Sequence, residues 1–186
     1  MGDAGVNEKK LKIREGAFRS YEVSAREVLE GTKKLLAAAG YAFLPNDHIG
    51  FVKPSLRARR EWSGRSNEIV AIVRPSIKRA ADGFVYLAAA HSVLGNSAEY
   101  ALLLPPINEY VLLEFLRENN SQMRKLIEER NFMLWMYNPA EEAIMSFVGA
   151  SCDPTFRGSF LLPGFISMRM LQQRAAAIAR RKAELK

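Results

Sequence analysis

Cysteine and histidine are scarce in this sequence of 186 residues, which contains one cysteine, Cys152, and two histidines. A single cysteine excludes a disulfide within the chain and is typical of a reducing compartment such as the cytosol. With so few thiols and imidazoles, no set of ligands has the spacing of a structural zinc site. We therefore predict that the protein uses no metal and no other cofactor.

Long apolar runs and nucleotide-binding motifs are also missing from the sequence. No stretch approaches the ~18 apolar residues that a transmembrane helix needs, and residues 1–20 are too polar for a signal peptide. No glycine-rich phosphate loop or dinucleotide fingerprint occurs. These absences predict a cytoplasmic protein that is neither secreted nor inserted in a membrane.

The composition that is present indicates one compact domain. Hydrophobic residues make up 48% of a chain that is long enough to bury a sizeable core. Residues 1–22 mix glycine, asparagine and charged side chains without periodicity, which predicts a mobile N-terminal arm. We place a single α/β core domain at residues 23–150, followed at residues 151–186 by a loop and a basic C-terminal helix.

Hydrophobic periodicity predicts a mixed central β-sheet flanked by helices. Two short apolar runs that end at prolines, residues 68–74 and 98–104, are typical of strands buried on both faces. We predict a third strand between them at residues 83–92, and a C-terminal β-hairpin formed by residues 132–137 and 143–148.

Two helices are predicted around these strands. Ser24 and Glu27 fit a capping box at the start of a helix over residues 24–39, and Gly40 follows its last apolar position. Apolar residues at helical spacing predict a second helix over residues 107–130, or two helices separated at residues 119–121 with Ser121 as the cap of the second. The predicted order of the core is therefore α-β-β-β-α-β.

Positive charge is concentrated in two parts of the chain. The formal net charge is +7, and residues 53–79 contain eight basic side chains against two acidic ones, while residues 165–186 contain six against one. An excess of this kind indicates a polyanionic partner such as DNA or RNA. The predicted nucleic-acid-binding residues are Lys53, Arg57, Arg59, Arg60, Arg65 and Arg74.

Several of these arginines lie on a predicted strand, residues 56–62. Alternation places Arg57 and Arg59 on one face of the strand, whereas Arg60 breaks the pattern and falls on the face of Trp62. A strand holds guanidinium groups in a fixed geometry that suits phosphate contacts, and Trp62 could stack on a base. The alternative interpretation is that Arg57 and Arg59 form a solvated edge that discourages aggregation of sheets.

The predicted order of elements resembles the core of the restriction-endonuclease-like nucleases. Those enzymes carry an aspartate on one strand and Glu-x-Lys or Gln-x-Lys on the next, because carboxylates hold Mg²⁺ and the lysine helps to activate water. Glu68 matches the position of the aspartate. The next predicted strand has Ala88, Ala89, Ala90 and His91 where the acid and the lysine are expected. The resemblance implies a related fold that has lost its catalytic residues.

Three functions are compatible with these patterns. The first is a non-catalytic protein that binds nucleic acid through the basic residues of the segment 53–79. The second is a divergent Mg²⁺-dependent nuclease that uses Glu68 together with Glu27, Glu30 or Glu99. The third is a homo-oligomeric scaffold that assembles through the C-terminal helix or through the predicted hairpin.

Overall fold

The computed structural model describes residues 23–45, 47–107, 125, 130–139 and 141–161. The predicted N-terminal arm, most of the helix predicted at residues 107–130 and the C-terminal helix predicted at residues 165–186 lie outside the described residues. Within the described ranges, no helix is long and apolar enough to cross a bilayer.

In this part of the chain, seven strands form one mixed β-sheet, and their order in space follows their order in the chain. They are β1 (Ala42–Phe43), β2 (Leu56–Trp62), β3 (Arg65–Val73), β4 (Ala98–Leu104), β5 (Phe132–Asn138), β6 (Ala143–Val148) and β7 (Phe160–Leu161). Strands β1, β2 and β3 pair antiparallel, β3, β4 and β5 run parallel, β6 returns antiparallel to β5, and β7 is parallel to β6. The arrangement confirms the predicted mixed sheet of an α/β protein.

Helices cover both faces of the sheet. On the first face, Val28 and Leu36 of α1 (Ala25–Ala38) join a core that includes Trp135. On the second face, Phe84 of α2 (Ala80–Leu94) packs in a separate core. Because both faces are covered, β4 and β5 are buried along nearly their whole length, which explains why their sequences are continuously apolar.

Helix α1 confirms the prediction for residues 24–39. The backbone N–H of Glu27 donates a hydrogen bond to Ser24 Oγ at 3.1 Å, so Ser24 is the N-cap. At the other end Gly40 adopts a φ of +86°, the left-handed conformation in which helices commonly end.

The strand predicted at residues 83–92 is wrong, because these residues belong to α2. The buried residues Ala80, Gly83, Phe84 and Leu87 follow helical spacing along one side of the helix. The alanines of this segment also favour a helix over a strand. A short apolar run of this kind fits either structure by periodicity alone, and here the helical one is formed.

The order α-β-β-β-α-β nevertheless occurs, although different segments form it. It runs from α1 through β1, β2 and β3 to α2 and β4. Strand β3 begins at Arg65, three residues before the predicted start at Glu68, because Ser63 and Gly64 make a tight turn with φ values of +49° and +74°. Two central residues with positive φ are typical of the turn that fits the right-handed twist of a hairpin.

The sheet and its core continue past residue 150, where a loop was predicted. A short helix, α3 (Pro154–Arg157), leads into β7 at the edge of the sheet. Phe156 is fully buried and contacts the rings of Tyr41 and Trp135. The segment after β6 therefore closes the first face of the sheet together with α1.

Gly31 of α1 provides a test of the packing on this face. A Cβ atom at Gly31 would lie 2.1 Å from Cζ of Tyr137, a buried ring of β5. Gly31→Ala is therefore expected to lower the free energy of unfolding by about 1–3 kcal/mol, even though alanine favours a helix by about 1 kcal/mol. Chemical denaturation followed by circular dichroism measures this change.

The control for this variant is the exposed position Lys34 on the same helix. Lys34→Ala should alter the free energy of unfolding by less than about 0.5 kcal/mol. If Gly31→Ala is as stable as the wild type or more stable, the close approach of α1 to Tyr137 is contradicted.

Candidate functional site

Glu68 anchors two of the predicted nucleic-acid-binding arginines. Arg57 donates to Glu68 Oε1 from Nε at 2.9 Å and from Nη2 at 2.6 Å, and Arg59 donates from Nη2 to Oε2 at 2.6 Å. Arg59 lies directly opposite Glu68 across the β2–β3 ladder, on the face covered by α2. Burial alone would raise the pKa of Glu68, but the two guanidinium groups outweigh it and lower that pKa.

Arg60 lies on the opposite face and is paired with Asp153. Its Nη1 is 2.8 Å from Oδ1 and 2.7 Å from Oδ2 of a carboxylate that is completely buried. This pair explains why Arg60 breaks the alternation of the strand, because the aspartate requires a cation on the first face. Burial would raise the pKa of Asp153, but hydrogen bonds from Arg60 and from the Thr155 N–H lower it.

Further polar groups join the Arg60–Asp153 pair inside the first face. Asn67 Nδ2 donates to the hydroxyl of Tyr41 at 2.9 Å, and burial followed by the charge of Asp153 raises the pKa of that hydroxyl. The guanidinium of Arg60 lies 5.7 Å from the ring centroid of Trp62, so it already occupies one side of that ring. A base could therefore stack on the Trp62 ring only from its other side.

Lys53 and Arg74 lie far from the hairpin turn. Arg74 follows the carboxyl end of β3, where its guanidinium stacks 4.8 Å above Tyr86 of α2 and donates to the carbonyl of Val73. Lys53 precedes β2 and is exposed. Strand β3 is roughly 30 Å long at the usual rise per residue, so these two cations cannot share one contact with Arg65, which is exposed at the turn.

The six predicted residues therefore form two groups rather than one surface. Lys53 and Arg74 are at one end of β3, and Arg59, Arg60 and Arg65 are towards the hairpin end. Arg57 pairs with Val70 near the middle of β3, and its guanidinium reaches Glu68. Arg60 and Arg65 lie on the face away from Arg57 and Arg59. Only Arg59 and Arg65 combine substantial exposure with a position near the turn.

The carboxylates of the nuclease hypothesis are not brought together. Glu99 and Glu68 occupy neighbouring strands but opposite faces of the sheet, since Glu99 pairs in register with Ile69. Glu27 and Glu30 belong to α1, on the face away from Glu68. In the part of the chain that the structure describes, no group of three potential metal-ligating side chains converges.

The strand sequences also lack the lysine of the nuclease pattern. Because residues 88–91 are helical, they do not occupy the strand position at which the acid and lysine are expected. The strand that follows β3 is β4, where Glu99 is followed two positions later by Ala101, and none of the strands from β1 to β4 contains a lysine. The absence of the catalytic pattern thus rests on these strands and not on residues 83–92.

Self-association was predicted through the hairpin of residues 132–148 or through the C-terminal helix. Strand β5 is buried along its whole length inside the sheet, so the predicted hairpin does not present Phe132 or Trp135 to a second subunit. The hypothesis of assembly through the C-terminal helix concerns residues outside those described.

Two acidic residues organise this region in ways that the sequence did not indicate: Asp153 was not among the predicted site residues, and Glu99 was considered only as a ligand of Mg²⁺. Asp153 caps α3 by accepting the Thr155 N–H at 2.9 Å, and the Asp-Pro dipeptide at positions 153–154 is a recognisable start signal for a helix. Glu99 accepts the backbone N–H of Cys152 at 2.6 Å. Burial, and then Glu99, raise the pKa of the Cys152 thiol to about 11, so this cysteine is protonated at neutral pH and poorly nucleophilic.

Comparisons with protein-family models and with curated proteins found no match.

The ion pair of Arg60 gives a prediction for stability. Arg60→Met leaves the Asp153 carboxylate buried without its cation, so we expect a loss of about 3–5 kcal/mol in the free energy of unfolding, measured by urea denaturation. Lys33→Met breaks the exposed pair with Glu30 and should cost less than about 1 kcal/mol. If Arg60→Met and Lys33→Met lower the free energy of unfolding by similar amounts, the buried pair contributes no more to stability than the exposed one.

The lowered pKa values of Asp153 and Glu68 predict how stability depends on pH. Both carboxylates have pKa values below the ordinary 3.8 and 4.5 when the protein is folded. Their contribution is therefore complete above pH 4.5 and is lost as the pH falls through the folded pKa values. Unfolding free energies measured between neutral pH and pH 3 should fall less steeply for Asp153→Asn than for the wild type. If the free energy of unfolding falls equally steeply with pH in both proteins, the lowered pKa of Asp153 is contradicted.

Proposed function

We propose that the protein binds nucleic acid without catalysis, through the end of the β2–β3 hairpin. The observation that supports this proposal is the projection of the hairpin beyond its neighbours. β1 pairs with β2 only as far as Arg59, and β4 begins to pair with β3 at Glu68. Residues 60–67 therefore form a two-stranded ribbon that no described strand flanks. A ribbon of this width fits the major groove of B-DNA.

The arginines at the base of the ribbon are suited to phosphate contacts because they are already oriented. Arg59 contacts Glu68 through Nη2, and its side chain remains 46% exposed. Its other N–H donors make no hydrogen bond to a described residue, so they are suited to face a phosphate. A guanidinium that is fixed before binding loses less conformational entropy when it forms a bidentate contact.

The charges near the hairpin turn determine how strongly the affinity for nucleic acid should depend on salt. Glu68 and Asp153 offset part of the positive charge of the hairpin, since they hold Arg57, Arg59 and Arg60. Arg65 has no ion pair within the described residues and adds a full charge beside the turn. We therefore expect about two phosphate contacts, from Arg59 and Arg65, and a correspondingly modest dependence of affinity on salt.

Two broader expectations belong to the same proposal. The order α-β-β-β-α-β from α1 to β4 supports the resemblance to restriction-endonuclease-like nucleases, with the catalytic pattern absent. A cytoplasmic location, inferred from the cysteine content, would give the protein access to both DNA and RNA. The ribbon favours duplex DNA, because the major groove of duplex RNA is too narrow for it.

Charge reversal at the turn tests this function. The affinity of a fluorescein-labelled DNA duplex is measured by anisotropy over a series of KCl concentrations. For the wild type, the plot of log affinity against log salt should have a slope of about −2, and Arg65→Glu should reduce its magnitude by about 1.

The matched control makes the same change of charge on the outer side of α1. Lys34→Glu should leave the slope unchanged, because Lys34 is exposed on α1 and is not part of the two-stranded ribbon; the end of α1 that approaches Arg60 is at Gly40, six residues later. If the two variants reduce the slope equally, only the net charge of the protein matters. If neither variant changes the affinity or the slope, the proposed interface is overturned. A duplex RNA that binds as tightly as DNA would contradict the fit of the ribbon to the B-form groove.

A further inference from the structure

A cleft separate from the hairpin lies at the amino ends of β4 and β5. It has a volume of about 530 Å³ and is lined by residues of the two strand starts and of the loop after β6. This volume is in the range of sites for small molecules. Its lining combines apolar groups, such as Phe132 and Val148, with a small number of polar side chains.

The loop that forms one wall of the cleft is held firmly in place. Trp135 Nε1 donates to the carbonyl of Gly149 at 2.8 Å, and the Cys152 N–H donates to Glu99. Gly149 has a φ of +64°, and a Cβ there would lie 2.7 Å from the side chain of Met133, so only glycine fits. The wall is therefore formed before any ligand arrives, which lowers the entropic cost of binding.

Glu99 contributes a carboxylate oxygen that lacks a partner. Its Oε1 accepts the Cys152 N–H, but Oε2 is buried and accepts no hydrogen bond from the described residues. The nearby Cys152 thiol is at best a weak donor. A buried carboxylate oxygen without a donor is costly, so a ligand that brings a strong N–H donor to Glu99 would be stabilised there.

Arg130 supplies the opposite charge on the same lining. It is exposed, it precedes β5, and it pairs with none of the described carboxylates. Next to it, Asn131 adopts a φ of +52°, a conformation uncommon outside glycine that often marks a functional position. One carboxylate and one guanidinium in a small cleft are complementary to a ligand that carries both charges.

We propose that this cleft binds a small zwitterion of the amino-acid type, whose ammonium group meets Glu99 and whose acidic group meets Arg130. The apolar part of the ligand contacts Phe132 and Val148. A small shift of the exposed Cys152 side chain opens Glu99 Oε2 to the ammonium group. The cleft includes no residue of the hairpin, so a result for or against ligand binding in the cleft does not bear on the proposed nucleic-acid binding.

Three related probes separate the two charges of the ligand. Phenylalanine carries both groups, phenethylamine lacks the carboxylate, and 3-phenylpropionate lacks the amine. Binding to the full chain is measured by isothermal titration calorimetry and by NMR titration up to about 10 mM, which covers weak millimolar affinities. Phenylalanine should bind at least about tenfold more tightly than either of the other probes, since it makes both charge-assisted contacts.

Variants assign each charge to its residue. Glu99→Gln keeps an acceptor for the Cys152 N–H but removes the negative charge, so it should weaken phenylalanine and phenethylamine about tenfold and leave 3-phenylpropionate unchanged. Arg130→Gln should weaken phenylalanine and 3-phenylpropionate and spare phenethylamine. Glu141→Gln, at an exposed position that does not line the cleft, is the control and should change nothing.

A second variant keeps the test decisive if Glu99→Gln does not fold. Ala150→Trp fills the cleft from its exposed wall and leaves Glu99 in place, so it should abolish binding. In the wild type, the amide signals of Asn96, Asn131 and Cys152 should shift on titration. The proposal is overturned if none of the probes binds, if Ala150→Trp binds phenylalanine normally, or if the acid binds as tightly as the zwitterion.

Discussion

The pair formed by Arg60 and Asp153 is the interaction on which the first face of the sheet depends. A completely buried carboxylate is stable only with a well-placed cation and further donors, and Asp153 has both. Through it, β2 holds the start of α3, and α3 places Phe156 against Tyr41 and Trp135. The loop that walls the cleft ends at Cys152, next to Asp153, so the ion pair and the candidate ligand site are neighbours in the chain although different hydrogen bonds hold the loop.

The distribution of partners also changes the meaning of the basic segment. A count of charges along the sequence suggests one strongly positive surface, whereas the sheet sends neighbouring arginines to opposite faces. Glu68 and Asp153 then bind three of them. The guanidinium groups that reach solvent near the hairpin turn are those of Arg59, which Glu68 orients, and Arg65, so the exposed charge there is smaller than the count along the sequence suggests.

The parts of the fold that could be predicted are those with an unambiguous local pattern. Helix α1 has a cap, a periodic apolar side and a terminal glycine, and the buried strands β4 and β5 have continuous apolar runs. Residues 83–92 failed because a short run of alanines and aromatics carries no distinguishing period, and its identity depends on packing against the sheet. Gly83 permits this packing, because a Cβ atom at this position would clash with the side chain of Leu102.

The candidate sites were harder to predict because their partners are distant in sequence. The irregular position of Arg60 was visible in the alternation of β2, but its partner lies 93 residues away. In the sequence, Glu99 is one of several acidic residues. Its contact with the backbone N–H of Cys152 joins residues that are 53 positions apart. No local rule connects such pairs, whereas the helix start at Asp153 and Pro154 was readable and indicated that the segment after β6 is structured.

The sequential order of the sheet has a consequence for how the chain folds. Each strand pairs with the strand that precedes it in the chain, so the sheet can grow from β1 towards β7 without inserting a strand between two that are already paired. The ion pair between Arg60 and Asp153 is the exception, because its two residues are 93 positions apart. It can form only after β2 and the segment that follows β6 have both been synthesised.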